Sequence, residues 1–202
     1  MERGSWSEFM DLFATADLVC EDKDGLTWGH ICNTAGCVEY ERGNAIRSEP
    51  YIKTSLAIRE RLLPPNDLEL SDGYNNYGNL ILTKSQSEES VAEALDYYLK
   101  GAAINESVPG GEKVLHIRYI NVGAAYTFQK KFAEASSYFE RARIYAIQTF
   151  GPGCHFVGRY ATHQPCSMGL LMVNILGAIT LKLEINITNN TGSKLEDCSC
   201  SP

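Results

Sequence analysis

"VPGGEKVLHIRYINVG", residues 108–123, aligns without a gap beneath "LPPNDLELSDGYNNYG", residues 63–78. Pro109 falls on Pro64, Tyr119 on Tyr74, Asn121 on Asn76 and Gly123 on Gly78. The agreement continues downstream, where "EASSYFERARIY" from Glu134 matches "EALDYYLKGAAI" from Glu93. That match puts Ala135 on Ala94, Phe139 on Tyr98 and Ala142 on Gly101. An earlier copy is visible in "CNTAG", ending at Gly36, followed by "SEPYIKTSLAI", in which Ser48, Ile52 and Ser55 take the same places. Self-similarity at a fixed period of this length is the mark of a repeat architecture.

The three glycines are 42 and 45 residues apart. From glycine to the following small residue, the first and third copies count twelve (36 to 48, 123 to 135) and the second sixteen (78 to 94). The additional four are expected in "KSQSEES". Within a copy, Tyr119, Val122, Gly123 and Tyr126 step by three or four, as do Ala135, Phe139 and Ala142, the spacing of one helical face. Each copy therefore reads as two amphipathic helices meeting at small residues. Gly123 is expected to face Ala135, with Phe139 and Tyr126 filling the space around the contact.

Helices are expected near Ser5–Glu21, Leu26–Glu41, Ile46–Leu63, Leu68–Thr83, Glu88–Glu106, Lys113–Gln129 and Phe132–Phe150. Pro64 and Pro65 would end one pair, and Asp67 and Ser71 are candidate N-terminal caps for the next helix. A further joint begins at "FGPGCHFVGRY", but Pro165 stands where a fourth first helix would run, and no second helix of the same pattern follows. The apolar run Met168–Leu181 is shorter than the roughly 20 residues of a membrane-spanning helix, so a membrane anchor is not expected.

Composition narrows the function classes. The chain of 202 residues has a formal net charge of −7 and no Lys/Arg cluster. It is a poor candidate for nucleic acid, whose phosphates need neutralising cations. The opening segment carries acids throughout and has no leader pattern, which predicts a cytoplasmic chain with reduced thiols. The sequons at Asn105, Asn186 and Asn189 are then chance matches.

Catalytic and metal constellations were sought by spacing. His30, Cys32 and Cys37 lie on one helix, with Cys32 at the position of Tyr74 and Tyr119, and so read as packing residues. Cys154, His155, His163 and Cys166 straddle a joint without the paired spacing of a structural zinc site. "GxSxG" and the phosphate loop "GxxxxGK[ST]" do not occur. Neither an enzyme nor a cofactor is expected.

The residues Tyr119, Val122, Gly123, Tyr126, Ala135, Phe139 and Ala142 resemble a tetratricopeptide repeat. The long period, with "SLAIRERLLPPND" closing a unit, resembles the kinesin-light-chain-like and MalT-like subclass, found in uncharacterised fungal proteins. The resemblance covers Leu26 to His155. It departs where Ser48, Ser55 and Gly101 replace alanines.

That resemblance implies an all-α, right-handed solenoid of about three helix pairs. The organisation expected from it is a capping helix in residues 1–25, a repeat array in 26–155 and an atypical, partly disordered extension in 156–202. It further implies that the first helix of each pair lines a concave face that binds a protein or peptide. The residues implied there include His30, Asn33, Cys37 and Tyr40 in the first copy. In the second they are Asp72, Asn75, Asn79 and Leu82, and in the third Ile117, Ile120, Ala124 and Phe128. Asn33, Asn75 and Asn79 would hold a peptide backbone, while Tyr40, Leu82 and Phe128 would bury its side chains. The competing reading is that amides, Asn76 and Asn121 above all, bond the neighbouring helix instead. Two other functions stay open: self-association through the exposed repeat end, and the sensor portion of a larger regulatory protein.

Overall fold

The computed structural model describes residues 3–151, with side chains from residue 11 onward; these belong to the compact unit Met1–Cys154. The expectations for Cys154, His155, His163, Cys166, the run Met168–Leu181 and the polar tail lie outside the described residues. The described chain is entirely helical: α1 (Arg3–Val19), α2 (Leu26–Glu41), α3 (Ala45–Leu62), α4 (Leu68–Lys84), α5 (Glu88–Ser107), α6 (Glu112–Phe128) and α7 (Phe132–Phe150). The pairs α2/α3, α4/α5 and α6/α7 pack most tightly, and α3 on α4 and α5 on α6 stack one pair on the next. This is a tetratricopeptide-like helical solenoid of three pairs, with α1 against α2.

The small residues set the pair geometry. An added Cβ on Gly36 would lie 2.6 Å from Ile52 Cδ1, on Gly78 2.6 Å from Tyr98 Cε1, and on Gly123 2.6 Å from Phe139 Cε1. Glycine therefore faces the large residue of the partner helix, not the small residue as expected from the sequence. A ring laid flat on helix backbone needs that missing side chain. In the first copy, Ser48 Oγ donates to Gly36 O at 2.8 Å, tying the pair together at the same place.

The four additional residues of the second copy, expected in "KSQSEES", leave the connection between the helices no longer than in the other pairs. All three pairs are joined by three residues, 42–44, 85–87 and 129–131. The extension instead lengthens α4 and the start of α5 by about one turn, 3.6 residues, so the partner helix keeps its register. Asp67 caps α4 by accepting from Glu69 N at 2.8 Å, as its position predicts. Ser71 is no cap: it lies inside α4, buried, and its Oγ donates to Gly101 O at 2.9 Å and contacts Asn105 Oδ1. Pro64, Pro65 and Asn66 form the joint between α3 and α4, and Asp67 N donates to Pro64 O at 3.0 Å.

A recurring side-chain cluster closes each pair-to-pair junction. Tyr74 and Tyr97 have ring centroids 5.8 Å apart, and one repeat on, Tyr119 and Tyr138 are also 5.8 Å apart. Lys100 lies 5.1 Å from the Tyr97 ring, and Arg141 lies 5.1 Å from the Tyr138 ring. Tyr119 Oη donates to Glu106 Oε1 at 2.7 Å, and Glu60 stands near Tyr74, where burial first and then that carboxylate push the phenol up. Glu60 and Glu106, on the preceding second helix, thus meet a tyrosine of the following first helix. The cluster fixes how one pair sits on the next.

Candidate functional site

Helices α2, α4 and α6 lie side by side and run in one direction, because Asn76 and Thr83 of α4 meet Asn33 and Tyr40 of α2 in the same order. Counting from each glycine gives four rows across the three helices. They are His30–Asp72–Ile117, Asn33–Asn75–Ile120, Cys37–Asn79–Ala124 and Glu41–Thr83–Phe128.

A ladder of amides joins the helices. Asn76 Nδ2 donates to Asn33 Oδ1 at 3.1 Å, and Asn121 Nδ2 donates to Asn75 Oδ1 at 2.7 Å. Asn76 and Asn121 are equivalent residues of successive copies, and so are Asn33 and Asn75. The third copy has Ile120 at the acceptor position, and the ladder stops there. Asn79 joins the pattern from another side, accepting from Tyr98 Oη at 2.8 Å.

Asn75 and Asn79, expected as open contact residues, are each only 7% exposed. Both spend Oδ1 on the array's own interior. Among the described residues neither Nδ2 has a partner, and neither is sealed from solvent, since both are missing from the buried unpaired atoms. Asn33 is arranged alike: its Oδ1 is taken and its Nδ2 is not. Asn33, Asn75 and Asn79 are thus held by their oxygens and each keeps a donor.

Two expected contact residues belong to the interior. Leu82, at 3% exposure, is in the core, and Tyr40, at 7%, donates or accepts at Thr83 Oγ1 over 2.8 Å. The reason is angular: both lie four residues past the glycine, and the next position turns a further 100° around the helix. Glu41 and Thr83 take the open places there, in line with Phe128. Ile120 and Phe128 remain half-buried, and Asp72 is 61% exposed at its side chain.

Charge enters the face at few points. Asp72 Oδ1 takes a charge-assisted bond from Arg118 Nη2, and Arg118 also donates through Nε to Asn105 Oδ1 at 3.1 Å. Arg118 is buried, and burial pulls its guanidinium below its ordinary value while Asp72 acts against this. His30 Nε2 lies 2.8 Å from Glu69 Oε2. Burial pushes the Glu41 carboxyl up, and no partner for it occurs among the described residues. Cys37 lies near Glu41, Arg59 and Asp72, and burial first, then Glu41 and Asp72 against the opposing Arg59 charge, push its thiol up to about 11. No group of three or more potential metal ligands occurs among the described residues. Among them, too, no helix is long and apolar enough to cross a membrane.

The tetratricopeptide repeat family model matches residues 28–69 and 118–153, the first and third copies. No curated protein matches the sequence. Among solved structures the chain resembles BtubC (BKLC) from P. vanneervenii at a TM-score of 0.64 and 21% identity, over 75% of this chain. The match covers 61% of BtubC, so this chain spans about three-fifths of that protein, and the likeness is one of fold.

Proposed function

We propose that this array of tetratricopeptide repeats is a protein-interaction module whose concave face, formed by α2, α4 and α6, holds an extended segment of another protein. Tetratricopeptide repeats generally mediate protein–protein contacts, and nothing in the rows above has the geometry of a reaction site. The observation that carries the reading is the state of the amides. Asn33, Asn75 and Asn79 are oriented by bonds to their oxygens and keep Nδ2 for a ligand. Asn76 and Asn121 keep Oδ1 beside them, so donors and acceptors alternate, as an extended backbone requires. A site whose rotamers are fixed in advance loses little entropy on binding. Ile120 and Phe128 supply apolar surface at the α6 side.

The test is a pair of blocking substitutions used in affinity capture from the source organism. Thr34 is exposed on α2 beside the amide row, and Ala57 is exposed on α3. Thr34→Trp should abolish capture that Ala57→Trp leaves intact. Equal capture by both variants contradicts the reading.

A further inference from the structure

On α2 and α4, side chains of the first two rows hold the next first helix. His30 Nε2 lies 2.8 Å from Glu69 Oε2, and Asn33 accepts from Asn76 at 3.1 Å. One repeat on, Asp72 pairs with Arg118, and Asn75 accepts from Asn121 at 2.7 Å. The same places on α6 hold Ile117 and Ile120, followed by Ala124, all apolar. Among the described residues α6 packs on α5 and α7, and no further first helix follows it. Ile117 and Ile120 are half-buried, and their open surface is the part that a following helix would cover. Their spacing with Ala124, three and then four, is that of one stripe along a helix.

The second helix of the last pair differs from its counterparts. Leu56 of α3 and Ala102 of α5 stand at one repeat position, and both are buried. Leu56 clusters with Leu70 of the next pair. The α7 counterpart is Arg143, whose side chain is 54% exposed and donates to Glu140 at 2.6 and 2.8 Å. A complete fourth pair would bury that ion pair, at a desolvation cost that Leu56 and Ala102 do not impose. The end of the array thus offers an apolar stripe on α6 beside a polar flank on α7. Two occupants from this chain fit it poorly. A second copy, end to end, carries the same net charge of −7 and sets its own Arg143–Glu140 pair against this one. Counting the repeat forward along the sequence puts Pro165 inside the next first helix.

We propose that the end of the array at α6 is a second docking site, which receives one amphipathic helix of another protein in the place of a fourth first helix. The aliphatic residues of that helix, three and four apart, lie on Ile117 and Ile120, and the small Ala124 lets the two helices approach. Its polar side faces Arg143 and Glu140. The stripe from 117 to 124 is about 10 Å long, so a helix of about three turns covers it. This site is separate from the concave-face reading, because Thr34 and the open amide donors take no part in it.

The experiment selects helix-forming peptides, randomised on one face, on the full chain, and measures their binding to Ile117→Asp, Ile117→Ala, Ile144→Asp and Thr34→Trp. Ile144 is 42% exposed on α7 and lies outside the stripe. The expected peptides carry aliphatic residues three and four apart and gain helical circular dichroism on binding. They should lose about tenfold or more on Ile117→Asp, which sets a charge in the apolar contact. Ile144→Asp and Thr34→Trp should bind them as wild type does. Ile117→Ala should weaken them less than Ile117→Asp, and decides the matter alone if the aspartate variant does not fold. Binding equal to wild type by the folded Ile117 variants, or no enrichment at all, overturns the proposal. Peptides lost on Thr34→Trp and kept by Ile117→Asp belong to the concave face and overturn it too. A full chain that sediments as a dimer, and as a monomer with Ile117→Asp, overturns it in favour of a second copy.

Discussion

Asn121 and Asn75 are 46 residues apart in sequence and joined by a 2.7 Å hydrogen bond across α6 and α4, repeating the Asn76–Asn33 bond of the preceding pair. A residue class that recurs with the repeat is thus used twice for the same contact. It also assigns the asparagines two tasks, one side of the amide holding the array and the other open.

That division predicts a stability cost. Asn121→Ala strips Asn75 Oδ1 of its donor at a nearly buried site and should cost about 1–3 kcal/mol. Asn75→Ala alone should also lower the melting temperature, because it removes the acceptor of the same bond. Denaturant titration of both singles and the double variant measures the coupling. Fully additive losses would mean the bond contributes nothing.

The glycine contacts predict overpacking. Gly123→Ala sets a methyl against the Phe139 ring and should cost about 1–3 kcal/mol. Adding Phe139→Leu should recover part of that loss. A Gly123→Ala chain as stable as wild type would show that the ring shifts freely.

One position should improve on substitution. Lys130 holds φ of 60°, in the loop place where the first copy has Gly43 at φ of 79°. The left-handed region costs a side-chain-bearing residue about 1–2 kcal/mol, and glycine loses part of this to chain entropy. Lys130→Gly should therefore raise stability by a few tenths to about 1 kcal/mol by that balance. A lower melting temperature would contradict it.

Acid should destabilise the third pair through His116. The imidazole is buried against Phe150, with ring centroids 5.2 Å apart. Burial, then the nearby Arg118 charge, lower its pKa from 6.5 to about 4, against an opposing bond to the Lys113 backbone. The unfolded chain takes up this proton near pH 6.5 and the folded one near 4. Stability from this group is full above 6.5, falls as pH drops through that interval, and levels off below 4. Removal of the group by His116→Phe should flatten that segment of the stability profile. An unchanged slope between those values would assign the acid sensitivity to other groups.

The fold was legible because the repeat supplies its own alignment: Gly36, Gly78 and Gly123 meet Ile52, Tyr98 and Phe139, four residues past Ser48, Ala94 and Ala135. The site was less so. Helical periodicity places Tyr40, Leu82, Asn75 and Asn79 on a side of the helix but does not say how closely the next helix covers that side. The additional four residues of the second copy were placed in "KSQSEES", but a count between landmarks cannot say that they lengthen the helices on either side. The junction cluster was open to detection, since Glu60 to Glu106, Tyr74 to Tyr119, Tyr97 to Tyr138 and Lys100 to Arg141 repeat in register. Its signal is a charge and ring pattern lying outside the small-residue frame that defines the helices.

The most direct test of the concave-face account is a nitrogen–proton correlation spectrum of the full chain, titrated with a peptide selected on it from a random peptide library. The account predicts that the side-chain amide signals of Asn33, Asn75 and Asn79 shift together with backbone signals of α2, α4 and α6. Shifts confined to α3, α5 and α7, with those three side-chain amides unmoved, would contradict it.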